Sequence, residues 1–98
     1  MRITYKNKKM EKICNNASAA KKEYGSRMAD IIHLRQDQIK AADSIDLMVE
    51  YKIGRCHELK GNRANQFAVD LVQPFRMVFE KKGDEIQIAH ILEIVDYH

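Results

Sequence analysis

The side chains best suited to chemistry gather in the second half of the chain. Arg55, His57, Lys60 and Arg63 cluster around a Gly61-Asn62 pair, Arg76 interrupts an apolar stretch, and Asp96-Tyr97-His98 closes the chain. Histidine exchanges protons near neutral pH. Arginine presents a planar fork of donors that grips two phosphate oxygens. Cations beside a phosphate stabilise the charge of a crowded phosphodiester transition state. A base then serves the attacking oxygen and an acid the leaving oxygen. If a neighbouring 2′-hydroxyl is the nucleophile, no metal is required and the substrate is RNA. Each residue also has a plainer account. Arg76 fits the solvent side of an alternating strand, His57 fits an exposed strand position, and Asp96-Tyr97-His98 fits a frayed end.

Other chemistries find little support. The chain contains no GxxxxGK[ST], GxGxxG, HExxH or GxSxG. Cys56 and His57 are strand neighbours that point to opposite faces. His90 and His98 share a face but lie roughly 26 Å apart at ~3.3 Å per residue. No metal and no cofactor is therefore expected. The segment DIIHLRQDQIK sets only Arg35 and Lys40 against Asp30 and Asp37, which suits a DNA-recognition helix poorly.

Charge is spread unevenly over the 98 residues, whose formal net charge is +3. Residues 1–24 carry Arg2, Lys6, Lys8, Lys9, Lys12, Lys21 and Lys22 against Glu11 and Glu23. Residues 55–82 are also basic, and residues 83–98 hold acids but no Lys or Arg. Two basic regions in a small chain suggest a polyanion or an acidic partner. Lys8, Lys9 and Lys12 are candidates for that contact, with a plain solvated helix face as the alternative. The opening MRITYKNKKMEKI lacks an apolar core for a signal peptide, and no apolar run approaches the ~18–20 residues of a membrane span. Cys14 and Cys56 fall outside CxxC spacing, so a reduced, cytoplasmic chain is expected.

The elements that must position these residues follow from periodicity. Met1–Tyr5 predicts a short edge strand with Ile3 and Tyr5 on one face. From Lys8, the residues Met10, Ile13, Cys14 and Ala17 repeat with helical spacing. Asn15-Asn16 weakens this helix without ending it, and Gly25 closes it. Ser26 then caps a second helix running to Ala41-Ala42, and Asp43 or Ser44 caps a short turn holding Ile45, Leu47 and Met48. Beyond Gly54 the period becomes two. Arg55–Lys60, Phe67–Leu71, Phe75–Glu80 and Ile86–Tyr97 predict strands separated by Gly61-Asn62, Gln73-Pro74 and Lys82-Gly83-Asp84. The expectation is a single α+β domain over residues 1–98. An N-terminal strand and an αα-hairpin pack on one face of a curved, mostly antiparallel sheet. Ile13, Ile31, Phe67, Val69, Met77, Phe79, Leu92 and Ile94 are its expected core.

At this point the residues carry a resemblance. The turn R-x-H-x-L-x-G at 55–61, the strand P-[FY]-R-[ML]-x-F at 74–79 and the terminal EIVDYH resemble the HigB-type toxins of the RelE/ParE superfamily. The resemblance implies a plasmid-maintenance toxin that enters the ribosomal A site and cuts translated mRNA. It also implies a cognate helix-turn-helix antitoxin, through which alone operator DNA would be met. It places His57, Arg76, Asp96, Tyr97 and His98 on catalytic positions, and Arg55, Lys60 and Arg63 on phosphate-binding ones. Two departures stand out. Relatives often carry a small hydroxyl residue and a Gly where this chain has Asn65-Gln66-Phe67-Ala68, and the Lys82–Glu85 connection is short. Two other readings stay open: a non-enzymatic superfamily toxin that inhibits DNA gyrase, and a plain nucleic-acid-binding module.

Overall fold

A computed structural model describes residues 1–97. The elements are β1 (Arg2–Tyr5), α1 (Lys8–Asn15), α2 (Ala17–Tyr24), α3 (Ser26–Ala41), α4 (Ile45–Glu50), a 3₁₀ turn (Ile53–Arg55), β2 (His57–Glu58), β3 (Gln66–Asp70), β4 (Phe75–Lys82) and β5 (Ile88–Asp96). The five strands form one sheet in the order β1-β5-β4-β3-β2. All neighbours run antiparallel except β1, which returns parallel to β5. The α+β architecture is the expected one. The parallel pairing of the two ends of the chain is the feature that a meander read strand by strand does not contain.

Local chemistry explains three departures from the expected helices and strands. The helix expected from Lys8 to Gly25 breaks at Asn16, whose backbone is extended and whose side chain accepts from the Ala19 N–H at 3.0 Å. Asn16 therefore acts as a cap and starts α2. Ser26 is not a cap: Gly25, at φ +89°, both ends α2 and precedes α3, and Ser26 lies inside the helix. Ser44 does cap α4, accepting from the Leu47 N–H at 3.1 Å. The last strand begins at Ile88 rather than Ile86, which is 87% exposed.

The core lies between the helices and one face of the sheet. Phe67, Phe79 and Ile91 are in register, as are Val69, Met77 and Ile94. They meet Ile13, Met28, Ile32, Ile39 and Met48 from the helices. The Phe67 and Phe79 rings stack with centroids 6.1 Å apart. Three core expectations need correction. Ile32 is fully buried while Ile31 is only partly so, Ile94 is likewise partly buried against the core, and Leu92 stays outside the core while Ile91 is buried. The register explains Leu92: Val78 faces Glu93 but Phe79 faces Ile91, leaving Leu92 as the extra residue of a β-bulge. The face away from the helices carries His57, Ala68, Val78 and Glu93 in one row and Asp70, Arg76 and Val95 in the next.

Candidate active site on the open face of the sheet

Sequence-distant residues meet where these two rows reach the edge. Lys52, Arg55, His57, Asp70 and Arg76 line a cavity of about 480 Å³. Three cations and one histidine thus surround one carboxylate.

The segment entering β2 is held in an unusual conformation. Lys52, Gly54 and Arg55 all adopt left-handed backbone, with φ of 54°, 58° and 57°. For a residue with a side chain this costs roughly 1–2 kcal/mol. Such strain persists only where surrounding structure enforces it, and it is characteristic of functional segments. Here the Arg55 N–H bonds the Lys52 carbonyl at 3.0 Å and the Cys56 N–H bonds the Ile53 carbonyl at 2.9 Å. The left-handed backbone favours glycine at Gly54, and a Cβ there would come within 2.8 Å of Arg35 Cδ, so the Arg35 side chain would have to shift. The consequence is that Lys52 and Arg55, three residues apart, both line the same cavity.

His57 is half-buried, with Nδ1 2.9 Å from the Arg55 carbonyl. A carbonyl only accepts, so this contact puts the proton on Nδ1. The lone pair of the neutral ring then lies on Nε2. Asp70 is 6% exposed, and its two oxygens face different arginines. Arg55 Nε lies 3.2 Å from Oδ2 and Arg76 Nε lies 3.5 Å from Oδ1. From behind, Arg35 Nε donates to the Asp70 carbonyl at 2.6 Å. The Arg76 guanidinium also sits 4.8 Å over the Tyr97 ring, a cation–π contact. The Tyr97 hydroxyl accepts from Arg63 Nη1 at 3.0 Å, and Arg63 is steadied by Gln66 at 2.9 Å and Glu93 at 3.7 Å.

Of the residues singled out in the sequence, Arg55, His57 and Arg76 come together at the cavity, with Tyr97 against Arg76 and Arg63 behind Tyr97. Lys60 is exposed in the connection after β2 and does not line the cavity. Asp96 is exposed and in register with Phe75, so it and Tyr97 point to opposite faces. His98 lies outside the described residues. Lys9 and Lys12 line a different groove of about 590 Å³ between α1 and α2, together with Lys22, and Lys9 pairs with Glu23 at 3.4 Å. Lys8 lies apart from them, beside β1.

Sequence reading missed Lys52, Asp70 and Arg35. Asp70 had a signal: it is a carboxylate inside the alternating run Phe67–Leu71, on the face that Arg76 shares. Lys52 had none, because its placement depends on left-handed backbone. Among the described residues no group of three His, Cys, Asp or Glu side chains could hold a metal ion. Cys14 and Cys56 are free and buried, and burial pushes both thiols up to about 12, so they are poor nucleophiles at neutral pH.

No protein-family model matches the chain, and no curated protein matches it in sequence. A solved structure does match: the YoeB/ParE toxin from Agrobacterium tumefaciens, with a TM-score of 0.65 over 100% of both chains at 14% identity. The chain has the fold of that toxin. At this identity the likeness carries architecture, and the roles of individual side chains are argued from their geometry. No helix among the described residues is long and apolar enough to cross a membrane.

Proposed function

We propose that this chain is the toxin of a type II toxin–antitoxin pair in the RelE/ParE-like superfamily. Its proposed activity is that of a HigB-type, ribosome-dependent endoribonuclease. The fold shared with a YoeB/ParE toxin supports the first part. One observation carries the second: His57, its Nδ1 turned to the Arg55 carbonyl at 2.9 Å, stands at the same cavity as Lys52, Arg55 and Arg76. A docking protein needs charge on such a face, but it has no use for a proton-transfer group beside converging guanidiniums.

In the proposed reaction the 2′-hydroxyl oxygen of an RNA nucleotide attacks the adjacent phosphorus and its proton passes to a base. The bond from phosphorus to the 5′-oxygen breaks, and that oxygen takes a proton from an acid. The products are a 2′,3′-cyclic phosphate and a 5′-hydroxyl. Arg76 and Arg55 hold the non-bridging oxygens and Lys52 adds charge at the rim. His57 serves one proton transfer through Nε2, with His98 proposed for the other. The Tyr97 ring keeps Arg76 on the open face, and Lys60, Arg63 and Asp96 are assigned to the surroundings of the strand being cut. No cofactor enters this scheme. The proposed partners are a helix-turn-helix antitoxin, the ribosomal A site with its mRNA, and operator DNA through the antitoxin alone. The site of action is the cytoplasm.

The test is cleavage of a defined message on translating ribosomes, with the fragment ends identified. Wild-type protein should release a 5′-hydroxyl fragment, and His57→Ala should slow release by ~10²–10⁴-fold, the usual worth of general acid–base catalysis. Intact message, together with DNA gyrase inhibition by the wild-type protein, would move the assignment to the non-enzymatic branch.

A further inference from the structure

Asp70 is out of place in a cavity meant only to attract a polyanion. Its carboxylate is buried, yet it lies among Lys52, Arg55 and Arg76 and subtracts from the positive field that would draw RNA. Its geometry is divided evenly: Oδ2 faces Arg55 Nε at 3.2 Å and Oδ1 faces Arg76 Nε at 3.5 Å. The backbone beneath it is fixed twice. Asp70 pairs with Arg76 across the β3–β4 ladder, and its carbonyl accepts from Arg35 Nε at 2.6 Å. Arg35 in turn passes close over Gly54, in the turn that carries Lys52 and Arg55. Arg76 Nε is buried with no hydrogen-bond partner among the described residues, so the Asp70 Oδ1 ion pair at 3.5 Å and the Tyr97 ring at 4.8 Å are the contacts that set its direction.

The Arg55 side chain stands largely in solvent and that of Arg76 is partly buried, and two guanidiniums beside one cavity repel one another. A carboxylate between them, with one oxygen for each, cancels that repulsion and sets their directions. We infer that Asp70 is a positioning residue, whose carboxylate holds Arg55 and Arg76 aimed into the cavity so that a phosphodiester meets a preset pair of guanidiniums. This rests on the proposed RNA-cleaving reading. A charge kept for orientation lowers affinity for RNA and raises the rate of the chemical step, because misplacing a catalytic group by about an ångström costs up to ~10²-fold.

Asp70→Asn keeps the shape and removes the charge, so it separates the two effects. Binding is read with a 2′-O-methyl oligoribonucleotide, which cannot be cleaved, and turnover with unmodified message on ribosomes. The Nε–Hε resonances of Arg55 and Arg76 give a readout independent of activity. The expected result is binding at least as tight as wild type, a kcat lower by roughly 10–100-fold with KM not raised, and loss of dispersion in both arginine resonances. Asp70→Glu should recover part of the rate. Unchanged or faster cleavage by Asp70→Asn, or arginine resonances indifferent to it, would overturn the inference. If Asp70→Asn fails to fold, the wild-type resonances decide. Bound oligonucleotide should shift those of Arg55 and Arg76 together, and a shift confined to one would contradict a coupled pair. The two proposals fail differently. Full cleavage by Arg76→Ala removes the RNA reading, whereas the arginine resonances of Asp70→Asn still report whether the carboxylate positions the pair.

Discussion

Two basic concavities occupy different parts of this molecule, and they are organised differently. The groove between α1 and α2 is lined by Lys9, Lys12 and Lys22 with Glu23 on its wall, and its lysines stand exposed on helices. The cavity on the open face of the sheet is smaller and holds Lys52, Arg55, His57 and Arg76 around the buried Asp70. Only the cavity adds a histidine with a fixed ring orientation, a buried counter-charge and left-handed non-glycine backbone. Long flexible lysines in water provide attraction over a distance and little geometry. Arginines paired to a buried carboxylate provide direction. The difference assigns chemistry to the cavity and makes the groove a surface for steering or docking, which suits an acidic partner such as the proposed antitoxin.

The strongest test of this contrast is one that must destroy both regions together. Phe79 is fully buried where the helices meet the sheet. Phe79→Ala should cost ~3–5 kcal/mol in a denaturant melt, a large share of a small domain's stability. A smaller loss would show that the sheet carrying the cavity does not depend on the helical layer carrying the groove. Next comes the cavity alone. Arg76→Ala should lower message cleavage by ~10²–10³-fold through lost charge stabilisation, with an unchanged circular dichroism spectrum. The matching charge reversal Lys9→Glu with Lys12→Glu should leave the rate of the cleavage step unchanged. It should instead slow association with the antitoxin at low salt, an effect that fades as salt rises.

The glycines sharpen the same comparison at lower cost. At Gly54 a Cβ would meet Arg35 at 2.8 Å, whereas at Gly61, with φ +79°, nothing among the described residues lies within 4 Å. Gly61→Ala should therefore cost about 1 kcal/mol from backbone strain alone. Gly54→Ala should cost more, and it should lower cleavage as well because it displaces the turn bearing Lys52 and Arg55. Paired thermal melts and cleavage assays check this, and equal effects at the two sites would contradict a cost from the Arg35 contact. The smallest effect concerns pH. Burial and the nearby Lys82 and Lys6 hold His90 below its ordinary range, and its Nδ1 lies 2.7 Å from the Thr4 hydroxyl. The unfolded chain thus takes up this proton more readily, so the contribution is present above the ordinary value of 6.5 and is lost as pH falls through it. The thermal midpoint should fall less between pH 7.5 and pH 5.5 in His90→Gln than in wild type.

Much of this structure is legible in the sequence where one local rule acts alone. The alternation of Phe67 and Val69 and of Met77 and Phe79 places the core face of two strands, because one side is buried and the period is two. It also puts Arg76 on the other side. Ser44 is legible as a cap, and Gly25 as a helix end. Legibility fails where two rules compete or where a partner is distant. Asn16 interrupts an apolar periodicity that continues past it, and its side-chain cap wins over the period. The bulge at Leu92 slips the alternation by one residue, so Ile91 is buried where Leu92 was expected. Neither the parallel β1–β5 pairing nor the convergence of Lys52 with Asp70 leaves a local trace, since both depend on chain segments brought together only by the completed fold.

Whether the cavity on the open face cuts RNA is tested most directly by removing its two kinds of chemistry together. The double variant Arg76→Ala, His57→Ala is assayed on translating ribosomes beside wild type and beside the Lys9→Glu, Lys12→Glu variant, with each confirmed as folded. Wild type and the lysine variant should release 5′-hydroxyl fragments, and the double variant should lose at least ~10²-fold in rate. Fragments released by the double variant at the wild-type rate would contradict RNA cleavage by this cavity.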